Sequence, residues 1–105
     1  MRLVYEVTAV VELELVEEWE RYMRDRHIPD VLATGCFTGA SLARASGGRY
    51  LMRYHLATRA DLERYLAQAA PPLRAEFTAR FPGGVALTRE TWEVVQEWEP
   101  GRSAG

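Results

Sequence analysis

The stretch CFTGASLARASGGRYLMRYHLA, residues 36–57, contains two strand-like runs on either side of a tight turn. In the second run, residues 49–57, large apolar and polar side chains alternate with the period of two that is typical of a strand. A Ser-Gly-Gly motif at 46–48 separates the runs, and glycine accepts the positive φ angles that short hairpin turns require. The stretch therefore predicts an antiparallel hairpin whose first strand covers residues 36–44.

A helix is predicted on each side of this hairpin. Upstream, apolar residues recur at helical spacing over residues 13–26, and Pro29 is expected to end that helix, with one further turn over 29–33. Downstream, Thr58 is the predicted N-cap of a second helix. A pair of prolines at 71–72 is expected to break or kink the second helix, because proline has no backbone N–H to donate.

The outermost elements of the chain are predicted to be extended, as one strand over residues 3–11 and as one long strand or two short ones over residues 85–99. The resulting order is βαββαβ, which predicts an α+β fold of the ferredoxin-like type: a four-stranded antiparallel sheet with two helices on one face. Residues 1–99 are expected to form a single domain, and residues 100–105 a flexible C-terminal tail.

The two faces of the predicted sheet differ in polarity. One face is apolar along the first and third strands and is expected to pack on the helices: Leu3, Tyr5, Val7, Tyr50, Met52, Tyr54 and Leu56. The other face mixes apolar and polar side chains, and leaving it in water would expose a sizeable apolar patch. This face predicts a homodimer, in which two sheets stack in a dimeric α/β barrel and enclose a ligand cleft between sheet and partner.

Composition excludes several classes of protein. The chain has 105 residues, of which 48% are hydrophobic, so a packed core is expected. The net charge of −2 argues against a nucleic-acid partner. No apolar run approaches the roughly 18 residues of a membrane span, and no signal peptide precedes the first strand, so a cytoplasmic location without membrane contact is expected.

Metal and cofactor chemistry has little support in the sequence. Cys36 is the one cysteine, which excludes an internal disulfide and predicts a small buried hydrophobe. The two histidines, His27 and His55, lie far apart and form no H-x-x-x-H motif, so no metal site is predicted. No glycine-rich nucleotide motif is present, and no cofactor is expected.

The segment HIPDVLATGCF, residues 27–37, resembles a signature of small bacterial proteins of unknown function in the dimeric α/β-barrel group of ferredoxin-like folds. Further matches to that family lie later in the chain, at Tyr65-Leu66, Pro71, Leu73-Arg74, Arg80-Phe81 and Arg89. The resemblance implies the fold and the dimer but supplies no reaction. The family often has a histidine where this chain has Ala69, so such a histidine cannot carry an essential reaction here.

Three polar residues are expected to come close together on the mixed face of the sheet. Arg53 and His55 are two residues apart on one strand and therefore point the same way, and Glu6 on the first strand could lie beside them. Such a group could hold a small anion or an enolate. The alternative is a salt-bridged patch at the dimer interface.

Three further residues are candidates for the ligand site. His27 is either a C-terminal helix cap or a pocket residue. Arg89 either binds a ligand carboxylate with both guanidinium nitrogens or pairs with a glutamate across the strands. Phe37, at the end of the signature, completes the candidate ligand-binding set of Glu6, Phe37, Arg53, His55 and Arg89.

The sequence leaves three functions open. The first is a homodimeric small-molecule-binding module, in which Arg53 or Arg89 anchors an acidic ligand. The alternative is a cofactor-independent enzyme, of monooxygenase, isomerase or lyase type, acting on a small carbonyl-bearing or aromatic metabolite. In that case His27 or His55 would be the general base. An interaction scaffold without a ligand is a third possibility.

Overall fold

The computed structural model describes residues 2–101, and within them a single four-stranded sheet carries two helical segments. All neighbouring strands are antiparallel, in the order β2-β3-β1-β4. The strands are β1 (Leu3–Val11), β2 (Gly39–Arg44), β3 (Arg49–Leu56) and β4 (Val85–Glu93). The predicted ferredoxin-like βαββαβ fold is thereby confirmed. In one chain the sheet is open and does not close into a barrel.

The core lies between the sheet and the helices, where the alternation of β1 and β3 places it. Both predicted apolar rows are buried on the helix side, and Trp19 of the first helix is fully buried against them. Its ring centroid lies 4.5 Å from that of Tyr50 on β3. The opposite face of the sheet, called the open face below, has no helix on it.

The first helical segment continues beyond the predicted end. It contains a 3₁₀ turn (Leu13–Leu15), α1 (Val16–Tyr22), a wide π-type turn (Met23–His27) and α2 (Ile28–Ala33). The prediction that Pro29 ends the helix is wrong. Pro29 lies in the first turn of α2, where the wide turn before it leaves no hydrogen bond that its missing N–H would break.

The second helical segment begins as predicted. Thr58 Oγ1 accepts a hydrogen bond of 3.2 Å from the Asp61 backbone N–H. The segment then consists of α3 (Arg59–Arg64), another wide turn (Tyr65–Ala69) and α4 (Ala70–Arg80). The prolines at 71–72 do not break it, because they occupy the first turn of α4, where backbone N–H groups have no partner within the helix.

Two strands are shorter than predicted. β2 begins at Gly39 rather than at residue 36, although the Thr38 N–H still donates to the His55 carbonyl at 2.8 Å. β4 ends at Glu93 rather than at residue 99. Residues 100–101 form a turn, and the rest of the predicted tail, residues 102–105, lies outside the described residues. No helix within the described part of the chain has the length and apolar character needed to cross a bilayer.

Candidate functional site

A cavity of about 350 Å³ lies between the helix side of the sheet and both helical segments. We call it the helix-side cavity. Its volume falls within the range of small-molecule sites in proteins, roughly 300–1,000 Å³. Its lining consists of Tyr5, Val7, Met23, His27, Met52, Tyr54, Tyr65, Arg74, Phe77, Thr78, Phe81, Pro82, Val85, Leu87 and Arg89.

The charged groups of the helix-side cavity are all basic. Arg74 comes from α4 and Arg89 from β4, and no aspartate or glutamate is part of the lining. Within the described residues neither guanidinium forms an ion pair with a carboxylate. Both arginines are exposed, together with Thr78 and Pro82, so the cavity meets solvent between α4 and β4. Its electrostatics favour an anionic ligand.

Three tyrosines form the polar wall of the cavity. The Arg74 Nη2 donates a hydrogen bond of 2.9 Å to the Tyr5 hydroxyl. The Tyr5 ring lies 6.3 Å from the ring of Tyr54 and 6.1 Å from that of Tyr65. Burial raises the pKa of Tyr65 to about 12 and also raises the pKa of Tyr54. The hydroxyls of Tyr54 and Tyr65 therefore stay protonated at neutral pH and can donate to a bound ligand.

His27 borders the same cavity. Because the helical segment continues past it, the expectation that His27 caps a helix C-terminus is wrong. Its ring is stacked 6.0 Å from Tyr22 and lies edge-on to Phe77 at 5.6 Å. Burial lowers the pKa of His27; nearby Asp30 and Glu76 oppose this shift, and Arg89 adds to it. A neutral imidazole at pH 7 follows, which is the form that accepts a proton.

The polar cluster predicted on the mixed face lies on the open face, away from the cavity. Glu6 and Arg53 are directly opposite each other in the register of β1 and β3, and Arg53 Nε lies 3.4 Å from Glu6 Oε2. His55 is one row further along, opposite Val4. The three residues are therefore neighbours, and the carboxylate of Glu6 is already paired.

Arg89 lies on the other side of the sheet from that cluster. In the register of β4 it is opposite Val7, whose side chain points to the helices, so the five candidate ligand residues do not converge. Among the described residues, Arg89 also has no glutamate partner across the strands, which was the other predicted role.

Phe37 is on the helix side but is not part of the cavity lining. The centroid of its ring lies 5.4 Å from that of Tyr54 and 4.7 Å from that of Tyr65. Cys36 is buried.

Sequence reasoning assigned the cavity tyrosines to the core and gave Arg74 no role in the site. A signal for Arg74 was present, since it lies three residues before Phe77 and seven before Phe81, on the helix face that carries these two apolar rings. A basic residue on an apolar stripe indicates a polar cavity or a buried partner. No group of three metal-ligating side chains occurs among residues 2–101.

A family model described as a domain of unknown function, DUF4286, matches residues 2–95. That match agrees with the resemblance to a family of unknown function, while the HIPDVLATGCF signature itself stays a prediction. None of the curated proteins is significantly similar in sequence to this chain.

Three solved structures share the fold. SnoaB, a cofactor-independent oxygenase from Streptomyces nogalater solved as a variant, is 16% identical with a TM-score of 0.76, over 91% of this chain and 95% of that chain. A MhuD variant with two manganese protoporphyrin IX molecules bound per active site is 19% identical with a TM-score of 0.70, over 92% and 98%. A dimeric ferredoxin-like protein from an uncultured marine organism is 18% identical with a TM-score of 0.63, over 92% and 98%.

Proposed function

We propose that this chain, which belongs to the DUF4286 family, a domain of unknown function, is a homodimeric protein that binds a small anionic molecule in its helix-side cavity. The single observation that carries the proposal is the lining of that cavity. Two arginines without carboxylate partners and three tyrosines face a space of about 350 Å³. An anion placed there would gain charge-assisted hydrogen bonds without displacing an existing ion pair.

The open face supports the homodimer. Val10 and Trp92 on that face are about half exposed, and Leu51 is partly exposed beside Thr8. A second copy stacked on this face would bury these apolar side chains together with the Glu6–Arg53 pair. The similarity in fold to a dimeric ferredoxin-like protein is consistent with this arrangement. In this proposal Glu6, Arg53 and His55 belong to the subunit interface, while the ligand lies on the other side of the sheet.

A second candidate function is a cofactor-independent enzyme, and His27 is the observation that favours it. The imidazole borders the cavity, and burial lowers its pKa, so at neutral pH it can take a proton from a bound carbon acid or phenol. Arg89 and the Tyr5 hydroxyl would then stabilise the oxyanion that forms. The enzyme proposal needs the same binding site as the binding-module proposal, so one binding experiment tests the premise of both.

The test is a fluorescence titration with 8-anilinonaphthalene-1-sulfonate, an anion with an apolar aromatic body. We expect saturable binding of one dye molecule per chain to the folded protein. Leu87→Trp, which fills the cavity from β4, is expected to weaken binding at least about tenfold, because the added ring takes the space of the dye.

Thr88→Trp is the matched control, because Thr88 follows Leu87 on the same strand and its side chain points to the open face. It should leave dye binding within about twofold of the unmodified protein. Binding that is lost in Thr88→Trp and kept in Leu87→Trp would place the ligand on the open face and overturn the proposal. Near-ultraviolet circular dichroism of each variant checks that the tertiary packing is native.

A further inference from the structure

We propose that the helix-side cavity selects an aromatic monoanion, with its acidic group between Arg74 and Arg89 and its rings extending toward Phe81 and Val85. This inference rests on the proposed function and adds the class and the orientation of the ligand. It is carried by three features of the described residues. The two arginines have no carboxylate partner, they lie at one end of the cavity, and the walls of the cavity are aromatic.

The two arginines of the cavity differ from the other arginines within residues 2–101. Nine of the twelve arginines within residues 2–101 form ion pairs with aspartate or glutamate. A tenth, Arg49, donates to the Ser46 carbonyl in the hairpin turn at 3.0 Å. Arg74 and Arg89 are the remaining two, and both line the cavity. Because nine of these arginines are neutralised by a carboxylate, two unpaired guanidinium groups at one cavity indicate a site for an external anion.

The polarity of the cavity has a direction. The short loop at 82–84 connects the C-terminus of α4 to the start of β4, so these two elements run antiparallel from a common end. Phe81 and Val85 lie at the loop end, whereas Arg74 and Arg89 lie at the far end. Four residues of strand separate Val85 from Arg89, or about 13 Å at ~3.3 Å per residue.

The loop end of the cavity suits an uncharged group. Phe77, Phe81, Val85 and Leu87 line it from α4 and β4 together with Thr78, and no arginine of the lining lies at this end. A second carboxylate placed there would give up part of its hydration without gaining a charge-assisted contact, which disfavours it relative to an uncharged group. The ligand is therefore expected to be charged at one end only.

The walls favour rings over a flexible chain. Tyr5, Tyr54, Tyr65, Phe77 and Phe81 all contribute rings to the lining, and the neighbouring centroids within this set are 5.6 to 6.3 Å apart. At these distances the rings pack on one another and form continuous aromatic walls, against which the ring of a ligand can pack. A rigid ring system also loses less conformational entropy on binding than an alkyl chain of equal length.

Isothermal titration calorimetry with three matched naphthalenes tests this inference. The probes are 2-naphthoate, its uncharged analogue 2-naphthamide, and 2,6-naphthalenedicarboxylate, which adds a second carboxylate at the opposite end. We expect 2-naphthoate to bind at least about tenfold more tightly than either of the others, since one charge-assisted contact is worth roughly that factor. Octanoate, an anion with a flexible body, is expected to bind more weakly than 2-naphthoate.

Arginine variants connect this selectivity to the cavity. Arg89→Gln and Arg74→Gln should each weaken 2-naphthoate binding about tenfold and leave 2-naphthamide binding within about twofold. Arg89→Lys should retain part of the preference for the anion that Arg89→Gln loses. This result would show that Arg89→Gln acts by removing a positive charge and not by disturbing the fold. Arg21→Gln, at an exposed arginine of the first helical segment, is the control and should change neither affinity.

The outcomes separate the inference from the proposed function. Equal affinities for 2-naphthoate and 2-naphthamide would overturn selection of an anion, and tight binding of the dicarboxylate would overturn the one-ended polarity. Octanoate binding as tight as 2-naphthoate binding would overturn the preference for rings. In all three cases, the proposed function would still stand if the probes compete with the dye and if Leu87→Trp weakens the binding of the dye. Failure of both 2-naphthoate and the dye to bind would overturn the two together.

Discussion

The guanidinium of Arg74 donates a hydrogen bond of 2.9 Å to the hydroxyl of Tyr5, and this contact joins the second helical segment to the central strand at the edge of the cavity. Tyr5 itself is buried, while Arg74 is exposed. The hydroxyl uses a lone pair on Arg74, so its own proton is available to a ligand. The contact thus has one effect on stability and a separate effect on binding.

The variant Tyr5→Phe separates these two effects. Removing the hydroxyl deletes one hydrogen bond and should lower the free energy of unfolding by about 1 kcal/mol, measured by urea denaturation. It should also weaken 2-naphthoate binding several-fold, because Arg74 loses the partner that orients it. The control Tyr22→Phe removes a buried hydroxyl outside the cavity lining and should leave the affinity unchanged. An unchanged affinity in Tyr5→Phe would contradict the role given to this hydroxyl.

The partly buried imidazole of His27 predicts how stability depends on pH. Burial holds its pKa in the folded protein below the ordinary value of 6.5, so the unfolded chain binds the proton more readily. The free energy of unfolding contributed by this group is therefore fully present above pH 6.5 and is lost as the pH falls through the folded pKa. His27→Gln should flatten this part of the profile, measured by thermal denaturation between pH 7.5 and 5.5. His55→Gln retains His27 and should retain the slope.

Glu20 links the first helical segment to two strands. Its carboxylate accepts a hydrogen bond of 2.7 Å from the Tyr50 hydroxyl and pairs with Arg24 and Arg44. Glu20→Gln should lower the free energy of unfolding by about 1–2 kcal/mol in a urea titration at pH 7, because hydrogen bonds to a charged group are lost. Glu17→Gln, on the exposed side of the same helix, should change it by less than about 0.5 kcal/mol.

The pH dependence of this difference is a further check. The hydrogen bond from Tyr50, followed by the charges of Arg44 and Arg24, holds the pKa of Glu20 below 4.5. The stability that the carboxylate contributes is present above pH 4.5 and is lost as the pH falls through its folded pKa. The gap between the unmodified protein and Glu20→Gln should therefore narrow below pH 4.5; a gap that stays constant would rule out this mechanism.

The two glycines of the hairpin turn should respond differently to alanine. Both have positive φ, 72° at Gly47 and 73° at Gly48, so each substitution carries the left-handed penalty of about 1–2 kcal/mol. A Cβ at Gly47 would meet open space, whereas one at Gly48 would collide with the backbone carbonyl of Val11. Gly48→Ala should therefore cost at least about 3 kcal/mol, and Gly47→Ala only the smaller penalty, by chemical denaturation. Equal losses would mean that the β1 backbone moves aside.

The open face predicts the behaviour of a charged substitution. Leu51→Glu puts a carboxylate near the middle of this face, where it would be desolvated in a stacked dimer. Light scattering coupled to size exclusion should show a dimer for the unmodified protein and a monomer for Leu51→Glu at the same concentration. Leu13→Glu, at a strongly exposed position before α1, should remain dimeric. A monomer in the unmodified protein would contradict the proposed interface.

Local patterns in the sequence were sufficient to determine the architecture. The alternation in β1 and β3, the Ser-Gly-Gly turn and the Thr58 cap each depend on residues only a few positions apart. Period-two alternation also indicated correctly which side of these strands meets the helices, because apolar area drives that choice. The element order, the antiparallel sheet and the core followed from these signals.

The site depended on contacts between distant parts of the chain. Tyr5 and Arg74 are 69 residues apart, and Arg89 lies on the cavity side because the β1–β4 register places it opposite Val7. A shift of one residue in this register would have put Arg89 on the open face, beside Glu6 and Arg53. The sequence of β4 is too polar to determine which of its two faces meets the helices. The continuation of the helix through Pro29 likewise depended on a wide turn that no local propensity predicts. Strands, faces and fold were thus set by short-range periodicity, whereas the cavity and its charges were set by inter-strand register and helix packing, which only the folded chain determines.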